Sequence, residues 1–398
     1  YTQDHTLSLH DALPIYLVGP PVVGEDFVGR KEELAEAVRM ISQGNSLLLA
    51  SPRRVGKSSF SKKLVEMFRR EGVLAAYVDL QGVRTEQEFG DRMADAFRKI
   101  REESSKAVGL KDKVESFLNR IRKVEVKGVG FELKDNPQKF YTAVEKLMDF
   151  EGRALIVVDE LAVFLEHITT AQGPEAAENL MNWLRNIRQS HQGRIVWVYC
   201  SSVSITNFVK RHNMSYTIND ISSFPLGEMA YDEAVYLLKE LCYGQGIEVF
   251  ADNEIDVILE KIGWRLPFFI QLFFKNFIQN QASYKGQPMD KVVDEIVSII
   301  IREHQIATWS ERLSGYGAYE KPAQLLLNYL CQPNHRSDRS HLETVISPAC
   351  EQMEDVGKVY AELRQMLDND GYLMESNQGD IVFRSPIIRQ YWYNKFVK

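Results

Sequence analysis

Cysteine, long apolar runs and positive charge are all scarce in this sequence, and each shortage narrows the possible function. The four cysteines, Cys200, Cys242, Cys331 and Cys350, stand far apart among 398 residues, with none at metal-ligand spacing. Cys200 lies inside an apolar strand pattern, where a reduced, buried thiol is expected; this suits a cytoplasmic location. No apolar stretch approaches the ~18 residues a membrane span needs, and Ile296–Ile301 is cut off by Arg302 and Glu303. The formal charge of −7 argues against a chain that coats nucleic acid without sequence preference. There is no internal repeat and no low-complexity tract. Tyr1–Ile15 lacks a cationic region and a long apolar core, so it is not a secretory signal. Ser8–Ile15 looks like translated sequencing-adapter read-through, so residues 1–16 are set aside as non-native and the native start is taken to be missing. What remains is a hydrophobic share of 44% and a charged share of 26%, as in a globular protein. The length suggests two or three domains.

The apolar run Leu47-Leu48-Leu49-Ala50 enters Ser51-Pro52-Arg53-Arg54-Val55-Gly56-Lys57-Ser58-Ser59, and Phe60 and Leu64 open a helix behind it. A loop closing onto a helix N-terminus aims backbone N–H groups and the positive end of the dipole at an anion. Gly56 lets the backbone approach phosphates. Lys57 can reach the β/γ oxygens, and the Ser58 hydroxyl can ligate Mg²⁺. The usual pattern opens with Gly where this chain has Ser51. Further on, Ala154-Leu155-Ile156-Val157-Val158 reads as a strand buried on both faces of a parallel sheet, ending in Asp159-Glu160. Carboxylates there lie where open α/β sheets bind ligands. Asp159 is expected in the Mg²⁺ shell, often through water, and Glu160 is expected to polarise the attacking water.

The remaining pattern alternates strands and helices up to residue 226. A helix carrying Leu34, Val38 and Ile41 precedes the loop, and Ala75–Leu80 reads as a strand. Residues 84–123 are polar with a helical period, and Phe89, Met93, Phe97 and Ile100 form a core stripe. Val124–Leu133 alternates like a small hairpin. Residues 174–190 form a helix with Leu180, Trp183, Leu184 and Ile187 inward, and Arg194–Tyr199 reads as a strand leading into Cys200-Ser201-Ser202. This order predicts a doubly wound parallel α/β sheet. After Phe224-Pro225-Leu226 only helices follow, over 234–243, 253–262 and 267–280. From about Glu320, helices at 321–331, 338–346 and 354–369 precede Tyr372-Leu373-Met374, a polar turn and Ile381-Val382-Phe383, which suggests a winged helix-turn-helix. The expected domains are 17–226, 227–318 and 319–398.

Together, Phe27-Val28-Gly29-Arg30, the Pro52–Ser58 loop, Val157–Leu161, Ile218-Asn219-Asp220, Pro225-Leu226, Ile262-Gly263-Trp264 with Pro267, and Phe383-Arg384-Ser385-Pro386 resemble the archaeal-type ATPases. That family, found also in bacteria, belongs to the AAA+/STAND branch of P-loop NTPases, near the origin-recognition ATPases. The resemblance covers residues 17–398. It implies a P-loop NTPase core with Walker A and Walker B elements, an all-α lid and a C-terminal winged helix, with ATP and Mg²⁺ as cofactors. Nucleotide contacts then fall on Phe27, Val28, Gly29 and Arg30 beside adenine and on Ser51–Ser59 around the phosphates, with Lys57 and Glu160 catalytic. Ser201 or Ser202 stands where such ATPases sense the γ-phosphate. Arg265, in Gly263-Trp264-Arg265-Leu266-Pro267, stands near the lid motif, although the family spacing is Gly-x-Pro. Arg185 and Arg188 are arginine-finger candidates, in cis or in trans.

The C-terminal 79 residues, Glu320–Lys398, carry nine Lys/Arg against eleven Asp/Glu, a net charge of −2. A DNA reader usually displays a basic face, and residues 355–369 offer only Lys358, Arg364 and Gln365. Duplex DNA and a protein partner therefore stay open for this segment, as does a homo-oligomer; no membrane partner is expected. The function expected is an ATP-hydrolysing or ATP-switched regulator. The alternatives are a DNA-binding regulator with structural nucleotide and a defence or toxin–antitoxin-like signalling ATPase acting on a protein.

Overall fold

The computed structural model describes residues 21, 24, 27–108, 137–201, 204–351, 353 and 355–398. The hairpin expected over 124–133 and the candidate Ser202 lie outside the described residues. The chain divides into two compact units. One holds Lys31–Ser51 and Lys57–Leu226; the other holds Pro52–Gly56, Gly227–Lys398 and the described residues up to Arg30.

The first unit is an α/β sandwich. Its strands are β1 (Leu47–Leu48), β2 (Leu74–Asp79), β3 (Ala154–Asp159), β4 (Ile195–Tyr199) and β5 (Ser222–Ser223), in the order β2-β3-β4-β1-β5. Every pairing is parallel. α1 (Lys31–Ser42) precedes β1, and between the strands run α2 (Lys57–Arg70), α3 (Glu86–Val108), α4 (Pro137–Leu147), α5 (Leu161–Gln172), α6 (Pro174–Ser190) and α7 (Ile205–Arg211). All six residues of β3 are buried, as an unbroken β-branched run requires when helices cover both faces.

The two-residue period of a strand divides that burial between the faces. Ala76, Val78, Ile156, Val158 and Trp197 face a large core with Phe89, Met93, Phe97 and Ile100 of α3, Tyr141 of α4, Phe164 and Leu165 of α5, and Leu180, Trp183, Leu184 and Ile187 of α6. There Phe89 stacks on Phe164 with centroids 5.2 Å apart, and Tyr141 stacks on Trp183 at 4.7 Å. Such pairs add roughly 0.5–1.5 kcal/mol beyond the area they bury. On the other face α2 packs against β2 and β3, with Phe60 and Leu64 buried. That face also carries Tyr77, Asp159 and Cys200. In α1, Leu34, Ala37 and Ile41 are the buried residues and Val38 is only partly covered.

The second unit is helical apart from one hairpin. It contains α8 (Tyr231–Gln245), α9 (Asp252–Ile262), α10 (Pro267–Tyr284), α11 (Met289–Arg302), α12 (Thr308–Glu311), α13 (Glu320–Leu330), α14 (Arg339–Ile346) and α15 (Val356–Asn369). β6 (Leu373–Glu375) pairs antiparallel with β7 (Ile381–Phe383), and α16 (Pro386–Phe396) follows. Three helices and a hairpin thus occur in the expected order. Ser385 caps α16 by accepting from the Ile388 N–H at 3.3 Å, and Pro386 sits in its first turn, where no N–H is missed. Gly371, just before β6, has φ +82°, and a Cβ there would lie 2.6 Å from Pro52 and 2.7 Å from Trp264. Only glycine allows that approach. Arg384 lies over the Trp264 ring at 5.6 Å and pairs with Asp368.

Candidate functional site

The first unit gathers the loop's chemical residues at the C-terminal ends of its strands. β1 is followed by Ser51, and α2 opens at Lys57 with no acidic side chain in its first turn. The departure from Gly at position 51 has a physical reason: the Ser51 hydroxyl accepts from the Leu226 N–H, fastening the loop start to the chain beyond β5. Lys57 is 7% exposed and donates from Nζ to the Ser51 carbonyl at 2.7 Å. A lysine held this way at a helix N-terminus gives an anion a charge that is already largely desolvated. Before it, Gly56 has φ +98°, and nothing lies within 4 Å of where its Cβ would be. That conformation and open space suit a backbone meant to lie against a phosphate.

Asp159 ends β3 at 3% exposure. Its Oδ1 accepts from the Glu160 N–H at 2.9 Å and from the Cys200 thiol at 3.1 Å, and its Oδ2 accepts from the Tyr77 hydroxyl. Glu160 adopts the left-handed conformation, φ 61° and ψ 27°, at the N-cap of α5. For a residue with a Cβ this costs about 1 kcal/mol or more, and such strain concentrates at functional positions. Its Oε2 accepts from the Ser201 hydroxyl at 3.2 Å. Burial first, then the Asp159 charge, pushes both the Cys200 thiol and the Tyr77 phenol well above their ordinary ranges, so both stay protonated. The strand ends therefore present one acid fixed by neutral donors beside a second acid that accepts from a serine. The oxygen set of Ser58 and Asp159 fits a hard cation that keeps most of its waters, as Mg²⁺ does. Among the described residues no group of three His, Cys, Asp or Glu side chains could hold a metal ion.

In the second unit Arg30 is 3% exposed with φ 61°. Its guanidinium donates to the carbonyls of Val55, Gly227 and Glu228 at 3.2, 2.7 and 3.2 Å. The side chain expected beside adenine thus clasps three carbonyls, one of them in the phosphate loop. Phe27 and Val28 are half-buried. Arg54, also at positive φ, lies over the Phe268 ring at 4.7 Å, and burial lowers its pKa. Its Nε is buried without a hydrogen-bond partner. Arg265 pairs with Glu228 at 2.8 Å and donates to the Met229 carbonyl at 3.1 Å.

The two finger candidates separate. Arg185 lies over the Tyr216 ring at 5.9 Å. Arg188 is 4% exposed, forms two bonds to Asp220 at 2.9 and 3.0 Å, and also donates to the Thr217 carbonyl and the Tyr199 hydroxyl. Arg188, named as a finger candidate in cis or in trans, is held by partners within its own unit. The same pair gives Asp220 of the Ile218-Asn219-Asp220 motif its role. Arg188→Ala would leave the buried Thr217 carbonyl and Tyr199 hydroxyl without their guanidinium donor, and is expected to destabilise the fold by about 2 kcal/mol, read as a drop in the chemical-denaturation midpoint.

The contacts of Tyr77 and Cys200 with Asp159 left no motif in the sequence. The signal available was positional: both residues share a sheet face with Asp159, one on each neighbouring strand. No protein-family model matches the chain, and no curated protein matches it. Solved structures do. A Walker-type ATPase of Pyrococcus abyssi superposes with TM-score 0.61 over 95% of this chain and 99% of that one, at 15% identity. The Aeropyrum pernix ORC2 protein in its ADPNP–ADP complexes gives TM-score 0.47 over 93% and 96%, at 13% identity. The RuvB Holliday junction branch migration motor of Thermotoga maritima gives 0.44 over 91% and 94%, at 11% identity. The chain has the α/β fold of a Walker-type P-loop ATPase.

Proposed function

We propose that this chain binds ATP with Mg²⁺, hydrolyses it slowly and uses the cycle as a regulatory switch. The observation that carries the proposal is the pairing of Lys57-Ser58 at the start of α2 with Asp159-Glu160 at the C-terminal end of a parallel strand in one α/β unit. In this reading the backbone of residues 51–59 cradles the phosphates and Lys57 neutralises the β/γ oxygens. Ser58 and Asp159 hold the metal. When bound, Mg²⁺ spreads the charge that builds on the phosphoryl oxygens. Glu160 positions the attacking water, and the Ser201 hydroxyl sets that carboxylate's orientation and senses the γ-phosphate. Arg265 is the sensor of the second unit, released from Glu228 when nucleotide binds. Phe27–Gly29 flank the base, and Arg185 is the finger candidate that remains.

The helical unit is read as a lid over 227–318 and a winged helix over 319–398. The acidic balance of that last segment favours a protein partner over duplex DNA, and a homo-oligomer is compatible with the fold. The discriminating experiment is steady-state phosphate release from purified protein lacking residues 1–15, with and without duplex DNA at 50 and 200 mM salt. The proposal expects turnover that DNA leaves within two-fold. Salt-sensitive stimulation of ten-fold or more would instead make the winged helix a DNA reader. Absence of both turnover and nucleotide binding would refute the nucleotide reading.

A further inference from the structure

The two oxygens of Asp159 are not equivalent. A carboxylate oxygen offers about two lone-pair directions. Oδ1 uses both, on the Glu160 N–H at 2.9 Å and the Cys200 thiol at 3.1 Å. Oδ2 accepts from the Tyr77 hydroxyl alone, so one direction stays open. We infer that Asp159 serves the metal shell through Oδ2, and that Tyr77 is the positioning residue that aims this oxygen. The inference rests on the ATP–Mg²⁺ reading above and adds to it a residue outside both nucleotide motifs.

The sheet makes the contact possible. Tyr77 pairs in register with Val157, and Asp79 pairs with Asp159, so Tyr77 and Asp159 are diagonal neighbours on one face. A diagonal separation of roughly 7–8 Å is within reach of an aromatic side chain. The Tyr77 ring is half-buried, with Lys62 Nζ 5.1 Å from its centroid, so its swing is limited. Its hydroxyl donates to the carboxylate. Cys200 acts on Oδ1 in the same way from the β4 side, and its Sγ also lies 3.4 Å from the Ser61 hydroxyl. Partners of this kind orient metal-binding carboxylates, and their loss typically costs 10–100-fold in metal affinity.

The test is the Mg²⁺ dependence of binding of a fluorescent ATP analogue, measured for wild type and Tyr77→Phe. The Phe variant keeps the ring and loses only the donor. Its half-saturating Mg²⁺ concentration is expected to rise about ten-fold, with affinity in EDTA unchanged. An unchanged Mg²⁺ midpoint in Tyr77→Phe would overturn the inference, as would an equal loss of affinity in EDTA, which marks a merely structural role. Should the Phe variant not fold, Tyr77→Met also lacks a donor and is read by the same criteria. Metal-independent binding, or no binding, by the wild type is a separate result: it overturns the ATP–Mg²⁺ reading and this inference with it.

Discussion

Replacing Lys57 with alanine is expected to lower ATP affinity about 100-fold, measured by equilibrium titration with a fluorescent ATP analogue in Mg²⁺. The size follows from where the charge sits. Lys57 is 7% exposed at the first position of α2, so its ammonium has already lost most of its water. Its Nζ donates to the Ser51 carbonyl at 2.7 Å, a neutral acceptor that binds an ammonium less strongly than a phosphate does. Removing one partner of a desolvated charge pair costs roughly 2–5 kcal/mol, and each 1.4 kcal/mol is ten-fold in affinity. The fold itself should tolerate the change, because the variant removes a buried charge rather than stranding one. The denaturation midpoint is therefore expected to hold while binding collapses, which separates loss of the site from loss of structure.

Glu160→Gln is expected to leave ATP affinity within about three-fold of wild type while turnover falls about 1000-fold, within the range for loss of a general base. The amide matches the carboxylate in size, so the left-handed backbone at residue 160 and the packing of Leu161 behind it are unaffected. The Ser201 hydroxyl still finds an oxygen to donate to. What disappears is the negative charge that would draw a proton from water. Single-turnover phosphate release from preloaded ATP checks this directly, since it does not depend on product leaving. The contrast with Lys57→Ala is the useful part: one variant loses binding, the other keeps binding and loses chemistry.

The elements that hold these residues were legible wherever burial was uniform or periodicity was strong. Ala154–Val158 is β-branched and apolar throughout, and β3 is buried over its whole length. The stripe Phe89, Met93, Phe97, Ile100 is the inner face of α3. Pro174–Ser190 and Pro267 begin helices because proline lacks only an N–H that the first turn does not use. By contrast, α5 starts directly after the acidic pair with no capping side chain, and its composition is apolar without a clear stripe. The sequence offered neither a start signal nor a period there. Strand order was equally hidden. β1 inserts between β4 and β5, more than 140 residues away from its β4 partner, and no local pattern encodes that.

The site divides along the same line. The loop and the acids were legible because their chemistry is written in consecutive residues. The residues that fix them were not, because they arrive from other strands or through carbonyls. Tyr77 reaches Asp159 across a diagonal of the sheet, and Arg30 acts through three backbone oxygens that any sequence would supply. The ion pair of Arg188 was hidden for the same reason, because its partner, Asp220, is 32 residues away.

The central claim is that the phosphate loop and Asp159-Glu160 form one working ATP site. The measurement that tests it most directly is phosphate release from ATP in Mg²⁺ by wild-type protein and by Glu160→Gln, with bound nucleotide quantified in the same samples. The predicted result is slow release by the wild type, loss of release in the variant, and equal nucleotide occupancy in both. Equal release by the two proteins, or release unaffected by EDTA, would contradict it.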